Sequence, residues 1–194
     1  MIDYDFPLYR PPAEANNIIL QVTYGCSHNA CTFCSMYKSK KYEVRPLEEL
    51  YAEIDSIASH YPNATKVFLA DGDALSLETE HLIALLQYLS HAFVKLRRVS
   101  VYATAQNLLE KTEEALSRLQ ENGLNLIYFG IETGNVTLLQ KINKGVNVNE
   151  LIESLNRASR AKIKVSATLS LVWVEKRIRR SIVKIRQKLL IKLK

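Results

Sequence analysis

The sequence has no fourth cysteine and no apolar stretch long enough to cross a bilayer. Cys26, Cys31 and Cys34 are its only cysteines, and all three fall within nine positions. Three cysteines cannot make two bridges, so a disulfide framework is excluded. Free, clustered thiols fit a reducing compartment and a metal or redox role. Apolar runs such as "NLIYFGI" fall far short of the roughly 20 residues that a spanning helix needs. The opening "MIDYDFPLYRPPAEANN" places acids and prolines where a signal peptide needs its apolar region. The expectation is a cytoplasmic protein.

The formal charge of +6 is unevenly spread. Residues 172–194 hold nine Lys or Arg and one Glu, a balance of +8, so the other 171 residues carry 6 − 8 = −2. The basic character belongs to the tail and is no evidence that the whole chain binds nucleic acid. The composition, 47% hydrophobic and 24% charged, is that of a folded domain with a real core.

Apolar β-branched runs alternate with helix-period segments. Strands are expected at 17–24, 66–71, 98–105, 124–132 and 162–171. Helices are expected at 46–61, at 76–93 capped by Ser76, at 112–123 between a Thr112 cap and a Gly123 stop, at 135–143, and at 149–161 capped by Asn149. Such alternation predicts a parallel sheet covered by helices, wound as an open doubly wound sheet or as a barrel. In both, the loops after the strand C-termini carry the chemistry.

The first such loop is "GCSHNACTFC", residues 25–34, with the spacing C-x4-C-x2-C. Three small buried hydrophobes would satisfy the thiols, but Ser, His, Asn and Thr are interleaved with them. Zinc needs a fourth ligand, which His28, His60, His81 or His91 can supply, though only one C-x2-C knuckle is present. A plant-type [2Fe–2S] centre needs the missing fourth cysteine. A [4Fe–4S] cluster held by three thiolates leaves one iron open for a ligand that is also a substrate, by the logic of an open catalytic metal site.

With Phe33 just before the last cysteine, this loop resembles the cluster loop of the radical S-adenosylmethionine (radical SAM) enzymes. It has one residue more between Cys26 and Cys31 than the usual family spacing. The resemblance runs from about Tyr9 to Leu171. "FLADGDALSL" is similar to the family's Gly-Gly-Glu-like motif, which implies that Asp71, Gly72 and Asp73 receive the amino group of SAM. "YFGIETGNVTLLQKINKG" resembles the branch of Elp3-like proteins and oxygen-independent coproporphyrinogen oxidases. It implies Glu132 at the SAM ribose or nearby polar groups and Lys144 facing the SAM carboxylate. "SATLSL" matches a fifth strand with Thr168 near a SAM-facing position, and Phe33 is expected near adenine. Read alone, the same residues make an ordinary Asp-Gly turn, a helix-dipole acid and a solvated lysine.

The resemblance implies a [4Fe–4S] cluster on Cys26, Cys31 and Cys34, and SAM as cosubstrate. It implies reductive cleavage of SAM to a 5′-deoxyadenosyl radical that takes hydrogen from a substrate, an oxidoreductase-type reaction fed by a flavodoxin- or ferredoxin-like donor. It also implies a partial (βα)6 barrel, of which about five strands can be read, so that residues 1–171 form an incomplete core. Residues 172–194 are expected to be a basic, aberrant ending; membrane or nucleic-acid contact by them is the less favoured reading. A catalytically inactive iron–sulfur or zinc binder is the alternative function.

Overall fold

In a computed structural model the described residues are 4–170, so the expectations for 172–194 lie outside them. Five parallel strands form one sheet: β1 (Ile18–Gln21), β4 (Lys66–Ala70), β5 (Arg98–Ala103), β6 (Leu124–Glu132) and β7 (Lys164–Leu169). They lie side by side in chain order. A doubly wound sheet would reverse direction from an interior strand; this one never does, so the winding is that of a barrel. Among the described residues the sheet does not close.

The two faces differ accordingly. Leu20, Leu69, Val101 and Ile127 pack with buried residues of α1 (Leu47–His60), α2 (Thr79–Ala92), α4 (Glu113–Glu121) and α6 (Val148–Arg160) in one large core. The opposite, concave face carries Ile19, Phe68 and Ala70, packed with Tyr4, Leu8, Tyr102 and Tyr128. Among the described residues no α-helix covers that face. The N-terminal segment does so instead. Tyr4 donates to Ile19 O (2.9 Å), and Asp5 exchanges two 3.0 Å hydrogen bonds with the Gln21 side chain. Glu14, fully buried, accepts from Tyr128 (2.6 Å), Ser100 (2.9 Å) and Arg98 (2.8 Å). Barrel interiors are filled by side chains; here a strap from outside the sheet supplies several of them.

Local chemistry moved some boundaries. The first expected strand is split: β1 stops at Gln21, and β2 (Thr23–Tyr24) pairs antiparallel with β3 (Glu43–Val44). The third expected strand ends early, because Thr104 and Asn107 form a capping box that starts α3 (Ala105–Glu110). Ser76 does not cap α2: residues 74–76 wind into a 3-10 turn, and the helix starts at Thr79. Asn147, not Asn149, caps α6, through a capping box with Glu150. Thr112 does cap α4, and Gly123 follows it at φ +103°. No helix among the described residues is long and apolar enough to cross a membrane.

Candidate functional site

The loops at the C-terminal ends of the strands surround a cavity of about 380 Å³. Cys26, Cys31, Cys34 and Phe33 line it from the long loop between β2 and β3. Gly72 lines it from the loop after β4, Glu132 from the end of β6, Lys144 from beyond α5 (Val136–Lys141), and Thr168 from β7. Residues separated by more than a hundred positions thus share one wall.

Among the described residues, no three Cys, His, Asp or Glu side chains converge on a point that could hold one metal ion. All three thiols are half-buried. Burial, with the Asp73 charge behind it, pushes the Cys26 thiol up to about 12. Burial also raises Cys31, opposed by the positive charge of Lys144. A bound cation reverses this preference and favours the thiolate.

Lys144 is only 8% exposed, yet the one ion pair its ammonium makes among the described residues is a long 3.8 Å contact to Glu132 Oε1. The Nζ also lies 5.9 Å from the centre of the Phe33 ring. An ammonium has three protons to donate, so this one has donors to spare for an anion in the cavity. Glu132 has φ +61°, uncommon for a residue with a side chain, and it sits at an irregularity in the β6–β7 register. Ser170 holds it there, donating its N–H to Glu132 O (2.9 Å) and its hydroxyl to Oε2. Gly130 makes room: a Cβ on it would collide with Glu132 Oε1 and lie 3.1 Å from Lys144 Nζ. Strained backbone of this kind persists where a site requires it.

Asp71 and Asp73 are turned away from the cavity. Both are fully buried, and neither lines it. Asp71 accepts from Gln21 Nε2 and Lys40 Nζ, each at 3.1 Å. Burial raises its pKa, against the hydrogen bonds that hold the charged form. Asp73 accepts from the Ser27 N–H (2.8 Å), the Ser27 hydroxyl and Asn107 Nδ2 (3.3 Å). The Asp73 carboxylate therefore supports the first turn of the cysteine loop, while Asp71 ties Gln21 to Lys40 through Oδ2 and keeps Oδ1 buried without a hydrogen-bond partner among the described residues.

Gly72, between them, has no space to spare. A Cβ there would fall 2.5 Å from Cys26 Cβ and 2.7 Å from Gly25 O. Gly72→Ala is expected to push the Cys26 turn out of place at a cost of about 1–3 kcal/mol. Thermal melts would read the loss of stability, and iron content after anaerobic loading would read the loss of the seat. Unchanged iron content would show that the loop tolerates the shift.

The sequence reading missed Gln106, Tyr102 and Arg10, which also line the cavity, as does His28, weighed there only as a possible zinc ligand. Gln106 donates to Lys144 O (3.2 Å), while its Oε1 is buried with no hydrogen-bond partner among the described residues. A buried orphan acceptor is costly, and a donor from a bound ligand would satisfy it. The only sequence sign of Gln106 is the capping box around it, which reads as helix geometry.

The arrangement offers three soft ligands, a spare cation, an orphan acceptor and an aromatic face in one cleft, and that donor set fits an iron–sulfur cluster beside an amino-acid-bearing cosubstrate. The chain is 28% identical over 141 residues to the "Heme chaperone HemW" of Bacillus subtilis, covering 69% of this chain and 36% of that one. It is 23% identical over 145 residues to an uncharacterized methyltransferase of Pyrococcus horikoshii, covering 73% and 30%. It thus spans about a third of the length of these curated relatives. Among solved structures, the radical SAM methyltransferase TsrM from Kitasatospora setae superposes with TM-score 0.68 at 17% identity, over 89% of this chain and 34% of that one. The coproporphyrinogen III oxidase HemN from Escherichia coli does so with TM-score 0.65 at 15% identity, over 89% and 41%. These likenesses are of fold. A family model, that of the radical SAM superfamily, matches residues 20–179. With that match over most of its length, the chain belongs to the radical SAM superfamily, whose members use a [4Fe–4S] cluster and SAM.

Proposed function

We propose that this chain holds a [4Fe–4S] cluster through Cys26, Cys31 and Cys34 and binds SAM beside it as the core of a radical enzyme. When bound and reduced by a flavodoxin- or ferredoxin-like donor, this pair supplies a 5′-deoxyadenosyl radical, with methionine as the other product, for hydrogen abstraction from a substrate. The observation that carries the reading is the shared cavity at the strand C-termini, lined by the three cysteines and by Phe33, Gly72, Glu132, Lys144 and Thr168.

Each side chain has a defined task in this reading. Lys144 pairs with the SAM carboxylate, for which its under-used ammonium is suited. Gln106 Oε1 accepts from the amino group. Gly72 keeps the wall thin beside Cys26. Phe33 offers a face to adenine, and Glu132 and Thr168 offer oxygens to the ribose side. The half-buried walls limit water around a reactive intermediate.

Anaerobic reconstitution with iron and sulfide tests this. The expected result is about four irons per chain and, with dithionite and SAM, formation of 5′-deoxyadenosine and methionine. Four irons without cleavage would leave a binding protein with no radical chemistry. Zinc retained in place of iron would sink the cluster itself.

A further inference from the structure

Helix α5 ends in a Schellman motif. The Lys144 N–H bonds Leu139 O (3.1 Å), and the Asn143 N–H bonds Gln140 O (3.0 Å). Asn143 takes the left-handed position at φ +49°, which asparagine tolerates better than most residues with a side chain. This turn drives Lys144 inward to the cavity while Asn143 stays exposed.

A helix C-terminus leaves carbonyls without partners. Here the cysteine loop supplies them. Thr32 N–H donates to Ile142 O (3.0 Å), and the Thr32 hydroxyl to Lys141 O (3.1 Å). His28 Nε2 lies 3.0 Å from Asn143 O. In return, Asn143 Nδ2 donates to Ala30 O (3.0 Å). Four hydrogen bonds therefore join residues 28–32 to residues 141–143. They fall between Cys26 and Cys34 on one side and directly before Lys144 on the other. Packing adds to them: a Cβ on Gly145 would lie 2.6 Å from His28 Cε1.

We propose that the α5 C-cap, centred on Asn143, is a clamp that fixes the cysteine loop relative to the Lys144 ammonium, and that Asn143 is a positioning residue for SAM. The proposal rests on the reading of Cys26, Cys31 and Cys34 as cluster ligands and of Lys144 as the partner of the SAM carboxylate. SAM must reach the open iron and Lys144 at once. A cosubstrate held at two points is sensitive to the spacing between them. The same turn sets both points, so loosening it weakens SAM binding before it affects the fold.

Asn143→Gly is the informative variant, because it removes the amide and keeps the left-handed turn free of strain. Hydrogen exchange on the metal-free full chain reads the clamp directly: the Thr32 amide is expected to exchange about fivefold faster in the variant, with β5 amides unchanged. In the cluster-loaded chain the KM for SAM is expected to rise about fivefold, with a smaller change in kcat. The EPR signal of the reduced cluster is expected to keep its SAM-free form and to lose part of its SAM-induced change. Asn143→Asp retains the turn but not the N–H donor and is expected to behave like the glycine variant. Wild-type exchange at Thr32, or an unchanged KM for SAM with faster exchange, would overturn the clamp. Failure of the wild type to take up iron would overturn the cluster reading instead, and the exchange result would still report on the clamp's hydrogen bonds.

Discussion

Cys34→Ser is expected to abolish activity and empty the site. Iron after anaerobic loading falls to about a tenth of the wild-type value or less, and 5′-deoxyadenosine formation is lost by a factor of about a hundred or more. A serine hydroxyl is a much poorer ligand for iron than a thiolate. The chain has no fourth cysteine to substitute. Of the nearby acids, Asp73 is held by Ser27 and Asn107, and Glu132 by Ser170. The thiol is half-buried and outside the main core, so the melting temperature of the metal-free chain is expected to stay close to wild type. Iron assay and product chromatography on the same preparation check both statements. Wild-type iron in the variant would show that Cys34 is not a ligand.

The second large effect concerns stability. Glu14→Ala removes a fully buried carboxylate and leaves the Tyr128 and Ser100 hydroxyls and the Arg98 guanidinium without their shared acceptor. Breaking a buried pair from one side costs on the order of 3–5 kcal/mol, a large part of the roughly 5–15 kcal/mol by which a domain is stable. Glu14→Gln keeps an acceptor for the hydroxyls and is expected to cost about half as much. Urea unfolding of the three chains checks the order.

The same group predicts a pH dependence. Burial by itself would raise the Glu14 pKa, but the hydrogen bonds from Tyr128, Asn17 and Ser100 and the Arg98 charge outweigh it, and the net shift is downward from 4.5. A depressed pKa in the folded state means that the contribution is fully present above the unfolded value. It is lost as pH falls from about 4.5 through the lower folded value. Asp71 acts in the opposite sense, because burial raises its pKa above the ordinary 3.8. The expected signature is therefore in the difference between wild type and Glu14→Gln. That difference is constant above about pH 5 and shrinks as the pH is lowered through the acid range. A difference that does not change with pH would mean that Glu14 titrates alike in the folded and unfolded chains, and one that grows as the pH is lowered would mean that its pKa is raised in the fold.

Much of the framework could be read because its signals are local. The three-cysteine loop declares itself by spacing within nine residues. The βα alternation follows from apolar periodicity, and Thr112 and Gly123 mark a helix from its own ends. The Ser76 and Asn149 caps were misread where a rival lay within three residues. A 3-10 turn displaced the first, and the Asn147–Glu150 box displaced the second. The direction of Asp71 and Asp73 was not readable, because it depends on what Gln21, Lys40, Ser27 and Asn107 offer from elsewhere in the chain. The lysine and the glutamate of the β6 segment were expected in the cavity on resemblance; their geometry, with the Glu132 backbone at positive φ, came from the register irregularity and Ser170.

What the sequence by itself determined about this protein is its ligand chemistry and its rhythm: three thiols with an odd count, and strands alternating with helices. Both are properties of residues close together in the chain. The tertiary structure alone decided that the sheet winds in one direction, that an N-terminal strap fills its concave face, and that the cysteine loop is fastened to the cap of α5. Those outcomes rest on pairs such as Glu14 with Tyr128 and His28 with Asn143, which are 114 and 115 positions apart. Local propensity and spacing carry no information over such a distance; only the assembly of the sheet and the accounting of its buried polar groups bring those partners together.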